Sequence, residues 1–441
     1  MADKETLARI MSTGPAARLT RWTNHHHGAV LFLIYSAVFH IGLLGVLDVV
    51  LNFYFVSLGH SPETIGVFQS LPRLAGFLTS VPIGLLANRI GTRRMLILSS
   101  VGCTLALYLQ LVPFLPMLAL SRFLFGLFYG AQQIANTPLM IDLMDAQGRT
   151  HFFALHNVIS MGAMAGGSLI GGFIPTLVVQ ASGGLVPPAW TESATTTYAY
   201  GGTIFLAGLV GLISALPLVL MRTHGQGAAA GAEEPLRTSR VPWRILILIT
   251  LPMLSFGFSG GLTFPFYNLF WRTQFDLPDQ SVGTILSIGW IGMGLVPLID
   301  GRLERRFGRA GALGFTLSVG ALGFFGLGLL PPLIVSLGLF VTGISFRNTM
   351  NPLYQPLLLE SLPRDLHNVV SSMSMVMWNI GWFAATAAGG FIQTRLGFGV
   401  MMQIVAVGVM ITGIAVVVIF RRRREALAQF TQEWQKRAEV S

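Results

Sequence analysis

Charge is what this 441-residue chain lacks: Asp, Glu, Lys and Arg together make up 10% of it. Soluble domains carry about 25%, so a water-soluble fold would leave apolar surface that nothing covers. Cysteine is scarcer still. The single Cys103 allows no internal disulfide, which excludes a disulfide-built scaffold, and it says nothing about redox compartment. No P-loop is present, which argues against direct ATP use. No Ser/His/Asp, H-E-x-x-H or paired-acid arrangement supports an intramembrane enzyme. What the chain does have is 53% hydrophobic residues, a mean hydropathy of +0.66 and 51 glycines. Glycine is common where membrane helices pack closely. The composition is that of a polytopic membrane protein, neither disordered nor a coiled coil.

Apolar runs of roughly 20 residues are the length of a membrane span. Twelve occur, near 29–58, 63–87, 95–113, 116–143, 151–178, 200–221, 243–271, 280–300, 310–330, 333–361, 366–393 and 397–420; they are numbered segments 1 to 12. The first follows a polar 28-residue lead with no cleavage pattern after it, so it reads as a span and not a signal peptide. With the N-terminus inside, 23 Lys and Arg fall on inner loops and tails. Only Arg272 and Arg395 fall outside, and Arg73, Arg122 and Arg347 lie within helices. This bias predicts both termini on the cytoplasmic side of a cell (inner) membrane. The net charge of +10 is then an orientation signal and an attraction to anionic lipid, with no nucleic-acid footprint.

Shifted by 217 or 218 positions, the sequence overlays on itself. Gly66 meets Gly283, Gly84 meets Gly301, Arg89 meets Arg306, Asp142 meets Glu360, and Gly171–Ile174 meets Gly389–Ile392. Six spans precede each repeat, so the halves share one orientation and are related by an axis along the membrane normal. The expected fold is an all-α membrane protein of twelve transmembrane helices in two parallel, pseudo-symmetric six-helix bundles. Residues 1–28 form an N-terminal tail, 29–221 and 243–420 the bundles, 222–242 a Gly/Ala-rich linker and 421–441 a basic interfacial tail.

The repeated loop carries a resemblance. GLLANRIGTRR, Gly84 to Arg94, resembles the G-x-L-A-D-R-x-G-R-R/K loop of the major facilitator superfamily, and GRLERRFGR, Gly301 to Arg309, resembles its degenerate second copy. SRFLFGLFYG, Ser121 to Gly130, is similar to the family's fourth-helix pattern, with Arg122 at its head. The resemblance implies a monomeric transporter working by alternating access, with Gly84, Asn88, Arg89, Gly91, Arg93, Arg122 and Asp142 in its gating machinery. The family's loop has an Asp where this chain has Asn88. That Asp helps latch the bundles, and Asp142 matches the acidic partner of the loop arginine. Without the charge the latch is expected to be weaker. Apart from the family, Gly84 and Gly91 permit a tight turn and close helix approach. Arg89, Arg93 and Arg94 can bond helix-end carbonyls, or serve topology alone. The glycine run from Gly162 to Gly172 resembles the antiporter signature of the fifth helix, with Gly167 in place of Pro.

Charges within a bilayer are costly and mark function by default. Asp48 of segment 1 and Arg73 of segment 2 each lie about 12 residues from the hairpin turn at Gly59–Ser61, hence at equal depth at 1.5 Å per residue. An Asp48–Arg73 pair is expected, or one exchanging with Arg122. It is either a static brace or a proton-coupling site. Arg347 lies near mid-depth of segment 10 with no acid at that level in its half. It heads a stripe with Asn351 and Gln355, which map onto Gln133 and Thr137 of segment 4. These residues, with Asn52, His40 and Trp378, are candidates for the walls of a substrate cavity. Asn379 and Trp382 are weaker candidates beside Trp378. Three interior arginines against one acid point to an anionic substrate, or to structural carbonyl contacts. The His25–His27 run has nothing to complete a metal site, and no cofactor is expected. The leading reading is a proton-coupled exporter of a small organic solute. Uptake by symport is the alternative, and a transporter-like receptor or assembly factor is a second.

Overall fold

The computed structural model describes residues 27–145, 147–182, 192–221, 242–422 and 429. The expected tails and linker lie outside these residues except at their edges, as does the side chain of Asn88. The described residues are helical almost throughout, with no strand among them. Among the described residues, eight helical stretches are long and apolar enough to cross a membrane: His27–Ser57, His151–Ser182, Ala194–Leu220, Trp243–Phe275, Asp279–Phe307, Arg309–Gly328, Leu333–Glu360 and Val369–Arg421. The last holds segments 11 and 12, joined where Gly397 takes φ 78° and ψ 168°, a conformation open to glycine. Segments 2, 3 and 4 are the helices Pro62–Ile90, Thr92–Leu109 and Leu115–Asp142. They are not among these eight; segment 4 buries Arg122, Gln132 and Asn136, and segment 3 begins with Arg93 and Arg94.

Local chemistry explains most boundaries. Segment 2 starts at Ser61, whose side chain accepts from the Thr64 N–H ahead of Pro62. It stops at Gly91, φ +85°. Segment 3 ends at Leu109, short of the expected 113, because Pro113 offers no N–H to continue the ladder. Segment 6 starts at Glu192, eight residues before its expected start. Segment 1 is interrupted by a π-helical turn at His40–Val46. A π turn adds a residue to the winding and rotates everything after it. Segment 7 tightens to a 3-10 turn at Phe264–Phe266 around Pro265.

Helices of each sequence half pack mainly on one another. Between the halves, segment 2 lies on segment 11 and segment 5 on segment 8. A Cβ at Gly66 would meet the Gly390 N–H and Thr386 carbonyl, and one at Gly283 the Ser168 carbonyl and Gly172. Gly66 and Gly283 are repeat mates, and so are Gly172 and Gly390, so the two contacts are related by the pseudo-symmetry. Both lie near the end carrying the 58–61 and 276–278 turns. Toward the other end Gly84, Gly162 and Gly166 have nothing within 4 Å of a Cβ. The close helix approach expected at Gly84 is not made. The halves are shut at one end and apart at the other.

Candidate functional site

At the shut end the halves are tied by side chains. Asn52 of segment 1 donates to the Pro265 carbonyl and, at 2.8 Å, to Asn268 Oδ1 in segment 7. Asn268 donates back to the Val49 carbonyl at 2.8 Å. Gln69 donates to Asn52 Oδ1 at 2.6 Å and accepts from Arg122 Nη2 at 2.8 Å. Nearer the end, the Tyr200 hydroxyl donates to Asp279 Oδ2 at 2.8 Å and accepts from Arg272 at 2.6 Å. Arg272 also pairs with Asp279 at 3.1 Å and stacks 4.4 Å over Phe53. Asn52 is 1% exposed, so it is a tie between halves and not a cavity wall as expected.

Below these ties an aromatic band runs across the C-terminal half. Phe264 stacks on Trp382 with ring centroids 5.6 Å apart and lies 6.0 Å from Trp290. Trp382 meets Trp378 edge-on at 5.2 Å. The N-terminal half places one charge at each end of the band. Asp48 Oδ2 accepts from Trp290 Nε1 at 3.0 Å. The Arg73 guanidinium lies 4.5 Å from the Trp378 ring centroid and 4.4 Å from that of Trp382.

The expected Asp48–Arg73 pair is therefore not formed, and Arg122 does not replace Arg73 in it. Depth along an axis fixes only one coordinate. The π turn before Asp48 rotates the carboxylate toward segment 8, while Arg73 points at segment 11. Trp290 went unnoticed in the sequence, yet it lies 11 residues below Asp279 and so at about 16 Å depth, level with Asp48. The same depth argument would have found it.

Arg347 also departs from the expected cavity position. It is 3% exposed, donates through Nη2 to the Phe256 carbonyl at 2.6 Å and through Nε to Ser259 Oγ at 3.3 Å, and lies 3.9 Å over the Phe256 ring. It braces segment 10 against segment 7 inside one half and does not face the cleft. Its stripe is broken because one helix ends at Asn348 and the next starts at Met350. Asn351 is exposed and donates to Asn348 at 3.0 Å, and Gln355 is half-buried. On segment 4 the stripe survives. Pro72 and Gly76 pack on Gly126 and Gly130, which puts Arg73 and Tyr129 on facing stretches of segments 2 and 4. Gln133 donates to the Tyr129 hydroxyl at 2.8 Å, and Gln133 and Thr137 are exposed.

His40 joins a second polar cluster. Its Nδ1 bonds the Ser36 carbonyl at 2.7 Å, and Ser36 Oγ bonds His156 Nε2 at 3.0 Å and Ser160 Oγ at 3.1 Å. His156 of segment 5 had no periodic signal to reveal it.

At the open end Arg93 donates to the Leu218 and Val219 carbonyls, both at 2.7 Å, as expected of a helix-end cap. Arg89 is exposed. Asp142 is exposed and enters no ion pair among the described residues, so the expected loop-arginine partnership is not made. Its repeat mate Glu360 is paired with Arg309, which also holds Glu304 at 2.7 Å. Asp48, Arg73, Tyr129, Gln133 and Trp378 thus gather along one cleft, while Arg347, Asn52 and Arg122 are spent on the scaffold. A hollow of about 440 Å³ beside Gln274, Gln393 and Gln403 lies apart from this cleft, within the C-terminal half.

The chain matches the family model described as Major Facilitator Superfamily over residues 29–386. It is 30% identical over 152 residues to "Tetracycline resistance protein, class E" of Escherichia coli, covering 34% of this chain and 37% of that protein. It is 23% identical over 400 residues to the Mus musculus "MFS-type transporter SLC18B1", covering 83% of this chain and 82% of that one. A D-xylose-proton symporter superposes with a TM-score of 0.70 at 12% identity, over 88% of this chain and 96% of that chain. At that identity the likeness is one of fold.

Proposed function

The chain belongs to the Major Facilitator Superfamily and is a multi-pass membrane transporter, not an enzyme, and we propose that it exports a small organic anion in exchange for protons. In this reading twelve spans form two six-helix bundles, 29–221 and 243–420, in a monomer of the cell inner membrane. Both termini are cytoplasmic, and the shut end faces out. The carrying observation is the placement of Asp48. It is the one interior acid of its half at that depth, and it bonds across the bundle interface to Trp290. An ionised carboxylate accepts from the indole N–H more strongly than a neutral one. Ionised Asp48 therefore favours the outward-shut state, and protonation loosens it. Protons would bind from outside and leave inside, driving an anion the other way.

The 152-residue likeness to a resistance protein supports export over uptake. Arg93, Gly84, Arg89 and Gly91 belong to the inner hinge of the cycle. The test uses proteoliposomes holding the full chain, an imposed pH gradient and tetracycline as first probe, followed by aromatic acids. Asp48→Asn should abolish gradient-driven flux and retain counterflow exchange. Uphill flux at the wild-type rate would reduce Asp48 to a brace.

A further inference from the structure

Arg73 differs from the other two interior arginines in what its nitrogens do. Arg122 gives Nη2 to Gln69, and Arg347 gives Nε and Nη2 to Ser259 and Phe256. Arg73 makes no hydrogen bond and no ion pair among the described residues. Its nitrogens are also absent from the buried, unpartnered atoms, which include Nε of Arg122. They reach open space. The guanidinium is nonetheless fixed, because Trp378 and Trp382 hold it at 4.5 and 4.4 Å. Stacking occupies the faces of the ion and leaves its N–H edge available.

A planar fork of donors fits a carboxylate, which can take two parallel N–H bonds. Tyr129, on the stretch of segment 4 that packs against this part of segment 2, supplies a third donor. Gln133 donates to the Tyr129 oxygen at 2.8 Å, so that bond does not use the hydroxyl proton, which can still be donated. Asp48, the nearest interior acid in the sequence half, is already engaged by Trp290 at the far end of the aromatic band. The band itself offers flat apolar faces for a ring. We infer that the cleft binds planar aromatic carboxylates, the carboxylate on the edge of Arg73 and the hydroxyl of Tyr129, the ring against the half-buried Trp378 end of the aromatic band. This rests on the reading of the cleft as the transport site and names its substrate class. A cationic ligand would have to displace Arg73 from its two rings and then share the cleft with it.

Binding is measured on the full chain in lipid nanodiscs, by tryptophan fluorescence and thermal shift. The probes are 2-naphthoate, cyclohexanecarboxylate and 2-naphthylmethylamine. The first should quench and stabilise, the second bind more weakly, and the third not bind. Arg73→Gln should weaken 2-naphthoate about ten- to a hundredfold, the scale of a hydrogen bond to a charged group. Arg73→Lys should fall between it and wild type, since the charge remains and the fork is lost. Unchanged 2-naphthoate affinity in folded Arg73→Gln would overturn the inference, and so would tighter binding of the amine than of the acid. If Arg73→Gln does not fold, the three probes on wild type and Tyr129→Phe decide, with a loss of several-fold expected for the latter. The transport reading fails separately. Naphthoate that binds through Arg73 but is never carried removes the transport reading alone. Asp48-dependent flux of tetracycline with no naphthoate binding removes this inference alone.

Discussion

The two halves descend from one repeat pattern but use their charges differently. In the N-terminal half Asp48 and Arg73 reach across the interface to aromatic rings and an indole N–H of the other half. In the C-terminal half Arg347 turns into its own scaffold. The loops differ in the opposite sense. The C-terminal copy is clasped by Arg309, Glu304 and Glu360, whereas Asp142, the mate of Glu360, has no ion pair among the described residues. One half is built to interact and the other to hold shape, so equal substitutions at mated sites should have unequal results.

The largest contrast is expected between the two interior arginines. Arg347→Ala leaves the Phe256 and Ser259 contacts unmade and should destabilise the fold by about 2–3 kcal/mol, the scale of lost charged hydrogen bonds. Its thermal midpoint should drop while the relative affinities for anionic and cationic probes stay the same. Arg73→Ala should do the reverse. A fold that tolerates Arg347→Ala but loses anion affinity would break the comparison. Next in size is Tyr200→Phe, which removes a hydroxyl shared by Arg272 and Asp279. The shut state should lose about 1 kcal/mol, seen as a shift toward the population open at this end in distance measurements between spin labels on the 58–61 and 276–278 turns. No shift would show that Phe53 and Asp279 hold Arg272 without help. The smallest effect belongs to the loops. Glu360 is 65% exposed, so Glu360→Gln should cost a few tenths of a kcal/mol after solvent screening, and Asp142→Asn less still. Chemical unfolding of both variants checks this, and equal losses would mean that the two loops are alike after all.

Much of the fold was legible in the sequence. Apolar runs located the helices, and the offset of 217 or 218 identified mated glycines, four of which form the inter-half contacts. The loop motif located the Arg93 cap, with Gly91 at positive φ. The site was legible only in part. Spacing gives depth, so Asp48, Arg73 and Trp290 share a level, but direction around the helix was lost where a π turn adds a residue before Asp48. Arg347 misled because its half has no acid at that depth. Carbonyls and rings satisfied it instead, and a sequence shows neither. Asn52 misled for the same reason, since its partners Asn268 and Pro265 are more than 200 positions away.

The mated glycine contacts bear on how the molecule moves. Ordinary helix packing interlocks, knobs of one helix in hollows of the next, and turning one rod on the other means lifting every knob over a ridge. Where Gly66 faces Gly390 and Gly172 faces Gly283 there are no knobs. The rods meet backbone to backbone, so no side chain at these points has to be lifted as one rolls on the other. Because the two contacts are symmetry mates, a roll on one is matched by an equal roll on the other, and the halves can tilt without sliding apart. A leucine at any of the four positions would give that smooth bearing a tooth.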